Sequence, residues 1–166
     1  SELDKILILD FGSQYTQLIA RRVRELEVYS EIRPCTTSPT GMDLSGVRAI
    51  ILSGGPSSVR DADAPRFDAR WLDLGLPVLG ICYGMHLIAH LCGGELASGS
   101  LREYGHAAVQ IESGGDLFAG FERDGKTSVW MSHGDHVRRL PPGFVALASS
   151  QDLPIAAMGN DLRKMY

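Results

Sequence analysis

The segment PVLGICYGMHLIAH, from Pro77 to His90, decides the fold of this 166-residue chain. An apolar run leads into a cysteine between two glycines, Gly80-Ile-Cys82-Tyr-Gly84, and a second apolar run of helical length follows. A strand, a tight turn and a helix in this order are typical of an open α/β sheet. The segment leaves two interpretations of Cys82 open, a buried thiol in an ordinary turn or a nucleophile.

The residues before this segment alternate between strand-like and helix-like patterns. Strands are predicted at Lys5–Asp10, at VYSEIRP (28–34) and within VRAIILSGGP (47–56), and the last is a β-branched run ending in glycines, typical of a strand covered on both faces. Helices are predicted from Tyr15, Leu18, Ile19, Val23 and Leu26, which recur at helical spacing, over Pro65–Leu74, and over Met85–Leu91. The order β-α-β-β-α-β-α predicts an open, doubly wound, mostly parallel sheet.

The second half of the chain has a different pattern. HAAVQIE, TSVWMS, FVALASS and LPIAAM are short strand-like segments separated by turn residues. They are too closely spaced for a helix between each pair, so we expect antiparallel additions to the sheet. No linker interrupts the sequence, and residues 1–166 are predicted to form one α/β domain.

Composition excludes several classes of protein. The net charge is −4 with scattered basic residues, which argues against nucleic-acid binding, and no apolar run approaches the roughly 20 residues of a membrane span. The first ten residues lack the pattern of a secretory signal. Three cysteines without a C-x-x-C pair predict neither a disulfide framework nor a zinc site, and favour a reducing, cytoplasmic setting.

The Gly80–Gly84 motif has the form of a nucleophile elbow with cysteine as the nucleophile. In such an elbow the following helix supplies N–H groups and a positive dipole end, both of which favour a thiolate and a developing oxyanion. The loop SGGPSS ends the preceding strand at the same edge of the sheet. The backbone N–H groups of Gly55 and Tyr83 are therefore the predicted oxyanion donors.

These motifs resemble a known family. The segments LILDFGSQYTQLIARRVRE, IILSGGPSSV, PVLGICYGM, REYG and VWMSHGD are similar, in the same order, to those of class I glutamine amidotransferases, and within that family to the glutaminase domains of GMP synthases. The resemblance covers Lys5–Tyr166. It implies a flavodoxin-like sheet and a Cys-His-Glu triad with Cys82 as nucleophile.

The resemblance also implies a substrate site. Cys82 would attack the side-chain amide of glutamine, release ammonia and leave a glutamyl thioester for water to hydrolyse. Glutamine would be bound by Ser57, His86, Ser132, Gly134 and Asp135. His86 stands where the family motif C-x-G-x-Q has glutamine, and an imidazole cannot present an amide donor and acceptor side by side.

The partners implied by the resemblance lie in a synthetase domain that residues 1–166 do not include. There ATP, with Mg²⁺, would adenylylate xanthosine monophosphate (XMP), and ammonia would displace AMP to give GMP; the glutaminase domain itself would need no cofactor. The whole enzyme is expected to be a cytoplasmic homodimer. The catalytic histidine and glutamate of an H-P-E motif are expected beyond Tyr166, so we expect residues 1–166 alone to be inactive.

Several alternatives stay open. His133, with Asp135 beside it, is a candidate base on residue type alone, and His86 and His90 have the i, i+4 spacing of metal ligands but no evident third ligand. The chain could instead be the glutaminase of another synthase, such as anthranilate synthase. A catalytically silent module that docks on a synthetase is the alternative from a different class.

Overall fold

A computed structural model of the chain describes residues 3–112, 115–121 and 125–166, and the side chains within these ranges except those of 99–106 and 128–133. The chain divides into two compact units, Ser1–Leu87 and Ile88–Tyr166. The first contains a parallel sheet, and the second contains an antiparallel sheet. Each unit is described below by itself.

The first unit has the alternating order that the sequence predicts. Its elements are β1 (Lys5–Asp10), α1 (Thr16–Glu25), β2 (Tyr29–Pro34), β3 (Val47–Leu52), a 3₁₀-helix (Ala69–Asp73), β4 (Val78–Gly80) and the start of α2 (Tyr83–Leu91). The strands form one sheet in the order β2-β1-β3-β4, with every neighbouring pair parallel. The predicted parallel α/β architecture is confirmed.

The centre of this sheet is its best-buried part. Leu7, Ile8 and Leu9 of β1 and Ile50 and Leu52 of β3 have no exposed surface. Strands covered on both faces require such continuous apolar runs, because neither face of the strand meets water. The hydrophobic effect therefore fixes β1 and β3 as neighbours at the centre of the sheet.

Helix α1 is rotated relative to the stripe that the sequence pattern indicates. Its buried residues are Thr16, Ala20 and Val23, whereas Leu18 and Leu26 are 41% and 77% exposed. Small side chains at the contact let the helix axis approach the sheet closely, and Ala20 is packed against Ile8 and Ile51. Ile19 and Val23 of the predicted stripe also pack in this cluster, whereas Leu18 and Leu26 remain exposed.

The helix predicted over Pro65–Leu74 is wrong in length and type. Only the five-residue 3₁₀-helix forms, and the Asp68 carboxylate caps its start by accepting a hydrogen bond from the backbone N–H of Arg70. Its role is to seat Trp71, which is fully buried and whose indole N–H donates to the carbonyl of Thr37 at 2.8 Å. With two buried residues, the segment has too little apolar surface to stabilise a longer helix.

The second unit is antiparallel, as the close spacing of its strands predicts. β5 (Glu95–Ile111), β6 (Lys126–Arg139), β7 (Val145–Ser150) and β8 (Ala157–Gly159) are hydrogen-bonded in the order β6-β5-β7-β8. The first two strands are longer than predicted, and the last covers only the end of the LPIAAM segment. In the described part of the chain, neither α-helix has the length and apolar character that crossing a bilayer demands.

Candidate active site

The loops that follow β1, β3 and β4 leave the same edge of the parallel sheet. These strands are adjacent in the sheet, and parallel strands present their carboxyl ends on one side. The chain order reverses between β1 and β3, because β2 lies on one side of β1 and β3 on the other. Open α/β sheets bind ligands in the crevice at such a switch point. The loops containing Ser13, Gly54 and Cys82 belong to this edge.

Cys82 occupies a strained turn between β4 and α2. Its φ angle is +53°, in the left-handed region that residues with a side chain rarely adopt. Its carbonyl accepts a hydrogen bond from the backbone N–H of His86 at 3.1 Å, so helix α2 begins directly at the cysteine. This is the geometry of a nucleophile elbow, and it favours the second of the two interpretations of Cys82.

The two glycines of the motif are required by close backbone contacts. A Cβ atom at Gly80 would overlap the backbone of Gly84, and a Cβ atom at Gly84 would overlap the carbonyl oxygen of Leu52 at the end of β3. The backbone N–H of Ile81 also donates to the Leu52 carbonyl, at 2.9 Å. The turn is thus pressed against the neighbouring strand, and only glycine fits on either side of the cysteine.

The loop after β3 reaches the cysteine. A Cβ atom built on Gly54 would lie 3.4 Å from the Cβ of Cys82 and 3.8 Å from the Cβ of Ser13. Both are ordinary contact distances, so Gly54 lies between the cysteine and the β1 loop. The sequence-based expectation that the SGGP loop and the cysteine share one edge of the sheet agrees with this contact.

The two predicted oxyanion donors are held by aromatic residues. A Cβ at Gly55 would overlap the carbonyl oxygen of Phe11, so the loop after β1 is packed directly against this glycine. The ring of Tyr83 is 3% exposed and lies 5.1 Å from the Phe11 ring, centroid to centroid. Among the described residues, neither the Gly55 nor the Tyr83 N–H donates a hydrogen bond to another group. Their role as oxyanion donors stays a prediction.

The electrostatics of Cys82 are those of a thiol without an activating partner in this unit. Burial raises the pKa of the Cys82 thiol, because a thiolate is poorly solvated there. The first unit contains one histidine, His86, which is 7% exposed within α2. A cysteine nucleophile is normally activated by a histidine base, and the sequence reasoning expects that histidine outside residues 1–87.

The remaining predicted substrate residues lie in different parts of the chain. Ser57 is half-buried in the loop after β3, and His86 is buried in α2. Gly134 and Asp135 are half-buried in β6 of the second unit. The side chains of Ser132 and His133, both also in β6, lie outside the described residues, as do those of the REYG segment.

The structure identifies one residue whose role the sequence reasoning did not assign. Ser53 is fully buried directly after β3, and its hydroxyl links the loops after β1 and β3 through two hydrogen bonds. The signal in the sequence is a hydroxyl residue at the end of an unbroken apolar strand, because a buried hydroxyl there needs partners. A serine in a glycine-rich turn is common enough to hide this signal.

The two histidines of α2 differ in their exposure. His86 is buried and His90 is exposed. Within the described ranges, no group of three or more His, Cys, Asp or Glu residues is arranged to hold a metal ion. Cys35, Cys82 and Cys92, all within the described ranges, form no disulfide.

The similar proteins found by comparison of sequences carry the same name. The chain is 56% identical to a GMP synthase [glutamine-hydrolyzing] of Solidesulfovibrio magneticus, over 100% of this chain and 32% of that protein. It is 50% identical to the protein of the same name from Paraburkholderia phytofirmans, over 98% of this chain and 32% of the relative. The chain thus spans about a third of the length of the curated relatives it matches.

Solved structures agree with this result. A Thermoplasma acidophilum protein described as a GMP synthase subunit is 27% identical, with a TM-score of 0.84, and the match covers 100% of this chain and 82% of the other. A glutamine amidotransferase from Thermotoga maritima has a TM-score of 0.78 at 19% identity, over 99% of this chain and 74% of the other, and supports the fold alone.

The family model and the relatives cover the cysteine turn together with the loops after β1 and β3. The family model named "Glutamine amidotransferase class-I" matches residues 7–166, nearly the whole chain. The chain belongs to the class I glutamine amidotransferases.

Proposed function

We propose that this chain is the glutaminase part of a glutamine-hydrolysing GMP synthase and that Cys82 is its nucleophile. The observation that carries the proposal is the turn at Cys82. A non-glycine residue at φ +53° is held there by backbone contacts that exclude any side chain at positions 80 and 84. Strain of this kind persists only where the surrounding structure enforces it, and it often marks a functional site. Full-length relatives bearing the GMP synthase name support the choice of enzyme.

The proposed reaction has two steps. The Cys82 thiolate adds to the side-chain carbonyl carbon of glutamine, and the C–N bond breaks as the nitrogen takes a proton and leaves as ammonia. Water then adds to the glutamyl thioester, and the C–S bond breaks to release glutamate and the thiol. Each step passes through a tetrahedral oxyanion, which the N–H groups of Gly55 and Tyr83 would bind. The N-terminus of α2 adds its positive dipole end.

The base belongs to another part of the protein. A thiol whose pKa is raised by burial is mostly protonated at neutral pH, so an approaching histidine would have to accept its proton. His133 of the second unit is one candidate. The histidine of the H-P-E motif that the resemblance implies is the other, and we favour it because it completes the Cys-His-Glu triad. In either case, Ser57, His86, Ser132, Gly134 and Asp135 remain the proposed substrate contacts.

The destination of the ammonia is a proposed synthetase domain. The chain spans about a third of the relatives' length, which leaves room for a second activity in the full protein. ATP and Mg²⁺ would bind in that domain and activate XMP, and ammonia would displace AMP to form GMP. A homodimeric whole enzyme and a reducing, cytoplasmic setting, in keeping with three free cysteines, complete the proposal.

The test uses the full-length protein with Cys82→Ala. Release of glutamate from glutamine should fall at least about 10,000-fold, because the covalent step is lost. Amination of XMP with added ammonium should be retained, since it bypasses the thiol. Cys35→Ala is the matched control, because Cys35 is a buried thiol in the same unit, and it should leave both activities unchanged. Retained glutamine hydrolysis in Cys82→Ala would exclude Cys82 as the nucleophile.

A further inference from the structure

We infer that Ser53 is a positioning residue that sets the direction of the Gly55 N–H, the proposed oxyanion donor. The inference rests on the proposed function for its catalytic consequence but not for its geometry. Ser53 has no exposed surface, and it lies between the end of β3 and the two glycines of the loop. Its role follows from where its hydroxyl group donates and accepts.

The Ser53 hydroxyl both accepts and donates a hydrogen bond. Its oxygen accepts a hydrogen bond from the backbone N–H of Phe11 at 3.0 Å, and its O–H donates to the carbonyl oxygen of Gly54 at 3.1 Å. The backbone N–H of Ser53 also donates to the Leu9 carbonyl at 3.1 Å. Ser53 is thus anchored to β1 and to the loop after it, and it holds the Gly54 carbonyl from that anchor.

Holding the carbonyl fixes the next N–H. The Gly54–Gly55 peptide is planar and trans, like the others that the structure describes. The carbonyl oxygen and the N–H of a trans peptide point in opposite directions, so a carbonyl turned towards Ser53 directs the Gly55 N–H away from it. Glycine offers little resistance to rotation of the peptide between Gly54 and Gly55. A hydrogen bond from a neighbouring group, here the Ser53 hydroxyl, is therefore needed to select one orientation.

The position of this peptide gives the orientation its importance. Gly54 is packed against Cys82 on one side, and Gly55 is packed against the Phe11 carbonyl. An N–H in this loop has to point at the tetrahedral oxyanion rather than at the ground-state substrate to accelerate the reaction. Misplacing one donor by about 1 Å is enough to lower a rate by roughly 100-fold. Ser53 is never in contact with substrate in this scheme and acts through Gly55.

The experiment compares Ser53→Ala with Ser30→Ala in the full-length protein. Ser30 is the matched control, because it is also fully buried in the first unit and its hydroxyl donates to the Ala20 carbonyl at 3.0 Å. Ser53→Ala should lower kcat for glutamine hydrolysis by about 10- to 100-fold with KM changed less than about twofold. Ser30→Ala should leave both constants unchanged. If Ser53→Ala does not fold, Ser53→Cys keeps the volume with a weak donor and should lower kcat similarly.

Two probes separate positioning from a general structural effect. The γ-semialdehyde of glutamate adds reversibly to a thiol and leaves an oxygen at the oxyanion position, so Ser53→Ala should weaken its binding about as much as it lowers kcat. Alkylation of Cys82 by iodoacetamide creates no oxyanion and should be unchanged. The inference would be overturned if Ser53→Ala and Ser30→Ala had the same kcat. It would also be overturned if Ser53→Ala weakened aldehyde binding and slowed iodoacetamide alkylation to the same extent.

A crystal structure of Ser53→Ala decides the geometry independently of activity. We expect the Gly54–Gly55 peptide to be rotated or to occupy two orientations. An unchanged peptide would overturn the inference even if the wild-type protein hydrolyses glutamine. A wild-type protein without glutaminase activity would instead refute the proposed function, and a rotated peptide would still confirm that Ser53 orients Gly55.

Discussion

Among the described residues each unit contains a four-stranded sheet, but only the parallel one concentrates loops at a single edge. In the first unit the carboxyl ends of β1, β3 and β4 are side by side, and the turn after each contributes to the candidate site. In the second unit neighbouring strands run in opposite directions, so successive turns alternate between the two edges. Parallel order is therefore what brings distant segments of the sequence together around Cys82.

Two glycines, one from each unit, differ in what a side chain there would meet. Gly84 in the first unit is pressed against backbone atoms of Leu52. Gly159 in the second unit faces side-chain ends, since a Cβ there would meet the Leu147 methyl at 2.7 Å and the Tyr166 ring at 2.8 Å. Side-chain ends can rotate away, whereas a strand backbone cannot. We therefore expect Gly84 to be much less tolerant of an added methyl group than Gly159.

The largest expected effect tests this tolerance directly. Gly84→Ala should lower the free energy of unfolding by about 3 kcal/mol, because β3 has to move to admit the methyl group. Gly159→Ala should cost less than about 1 kcal/mol, because only side chains need to adjust. Urea unfolding of both variants measures the difference. Equal losses in the two variants would remove the contrast between the units.

The second prediction concerns the reactivity of Cys82 in the chain of residues 1–166. Burial raises its thiol pKa above the 9.0 of an unperturbed cysteine, so the thiolate fraction at neutral pH should be lower than usual. The rate of alkylation by iodoacetamide should therefore still be rising at pH 9. Cys82→Ser identifies the signal, because Cys35 and Cys92 are also free thiols.

A low midpoint in the pH dependence of Cys82 alkylation would point to an activating base. An alkylation midpoint near pH 7 would show that a base within residues 1–166 reaches the thiol. His133→Ala should then shift the midpoint upwards, and the base would be assigned to the second unit rather than to an H-P-E motif. A midpoint above pH 9 excludes this arrangement.

The third prediction concerns His86, where the family motif has glutamine. His86→Gln in the full-length protein should lower KM for glutamine by about 3- to 10-fold, the effect of one added hydrogen bond from an amide that presents donor and acceptor together. His90→Gln is the control, because His90 is exposed on the same helix and should have no effect. An unchanged or higher KM in His86→Gln would show that the imidazole of His86 serves glutamine binding at least as well as an amide side chain does.

Much of the first unit could be predicted from the sequence, because the apolar strand runs and the glycine turns each allow few conformations. β1 has the bounds Lys5–Asp10 that its pattern predicts, β3 begins at Val47 as predicted, and Cys82 has the strained turn that its motif predicts. The 3₁₀-helix and the rotation of α1 could not be predicted in this way. Both depend on contacts with distant residues, Thr37 for Trp71 and the sheet for Ala20, that periodicity does not record.

The candidate site shows the same division between local and tertiary information. Cys82, Gly55 and Tyr83 follow from local motifs at strand ends. Ser53 does not, because its importance depends on the pairing of β1 with β3, which places Phe11 within hydrogen-bond distance. A single sequence gives the elements of an α/β site more readily than the groups that orient them.

The smallest expected effect is at the surface of the second unit, where Glu95 forms an ion pair with Arg138 at 2.6 Å and another with Arg139 at 3.3 Å. The hydrogen bond from Arg138 and the charges of both arginines lower the pKa of Glu95. Its contribution to stability is therefore complete above the pKa of the unfolded chain and is lost as the pH falls through the lower folded value. The pairs are exposed and screened by water, so Glu95→Gln should lower Tm only slightly at neutral pH.

Acidification should reduce this small difference in Tm between the wild type and Glu95→Gln, and high salt should do the same. Asp4→Asn is the matched variant in the first unit, because Asp4 pairs with Arg48 at 2.8 Å on an equally exposed surface. Both variants should have similarly small effects, because the units differ in how their loops are packed and not in how water screens their surfaces. A loss for Glu95→Gln as large as that for Gly84→Ala would mean that ion pairs, rather than strand direction, distinguish the two units.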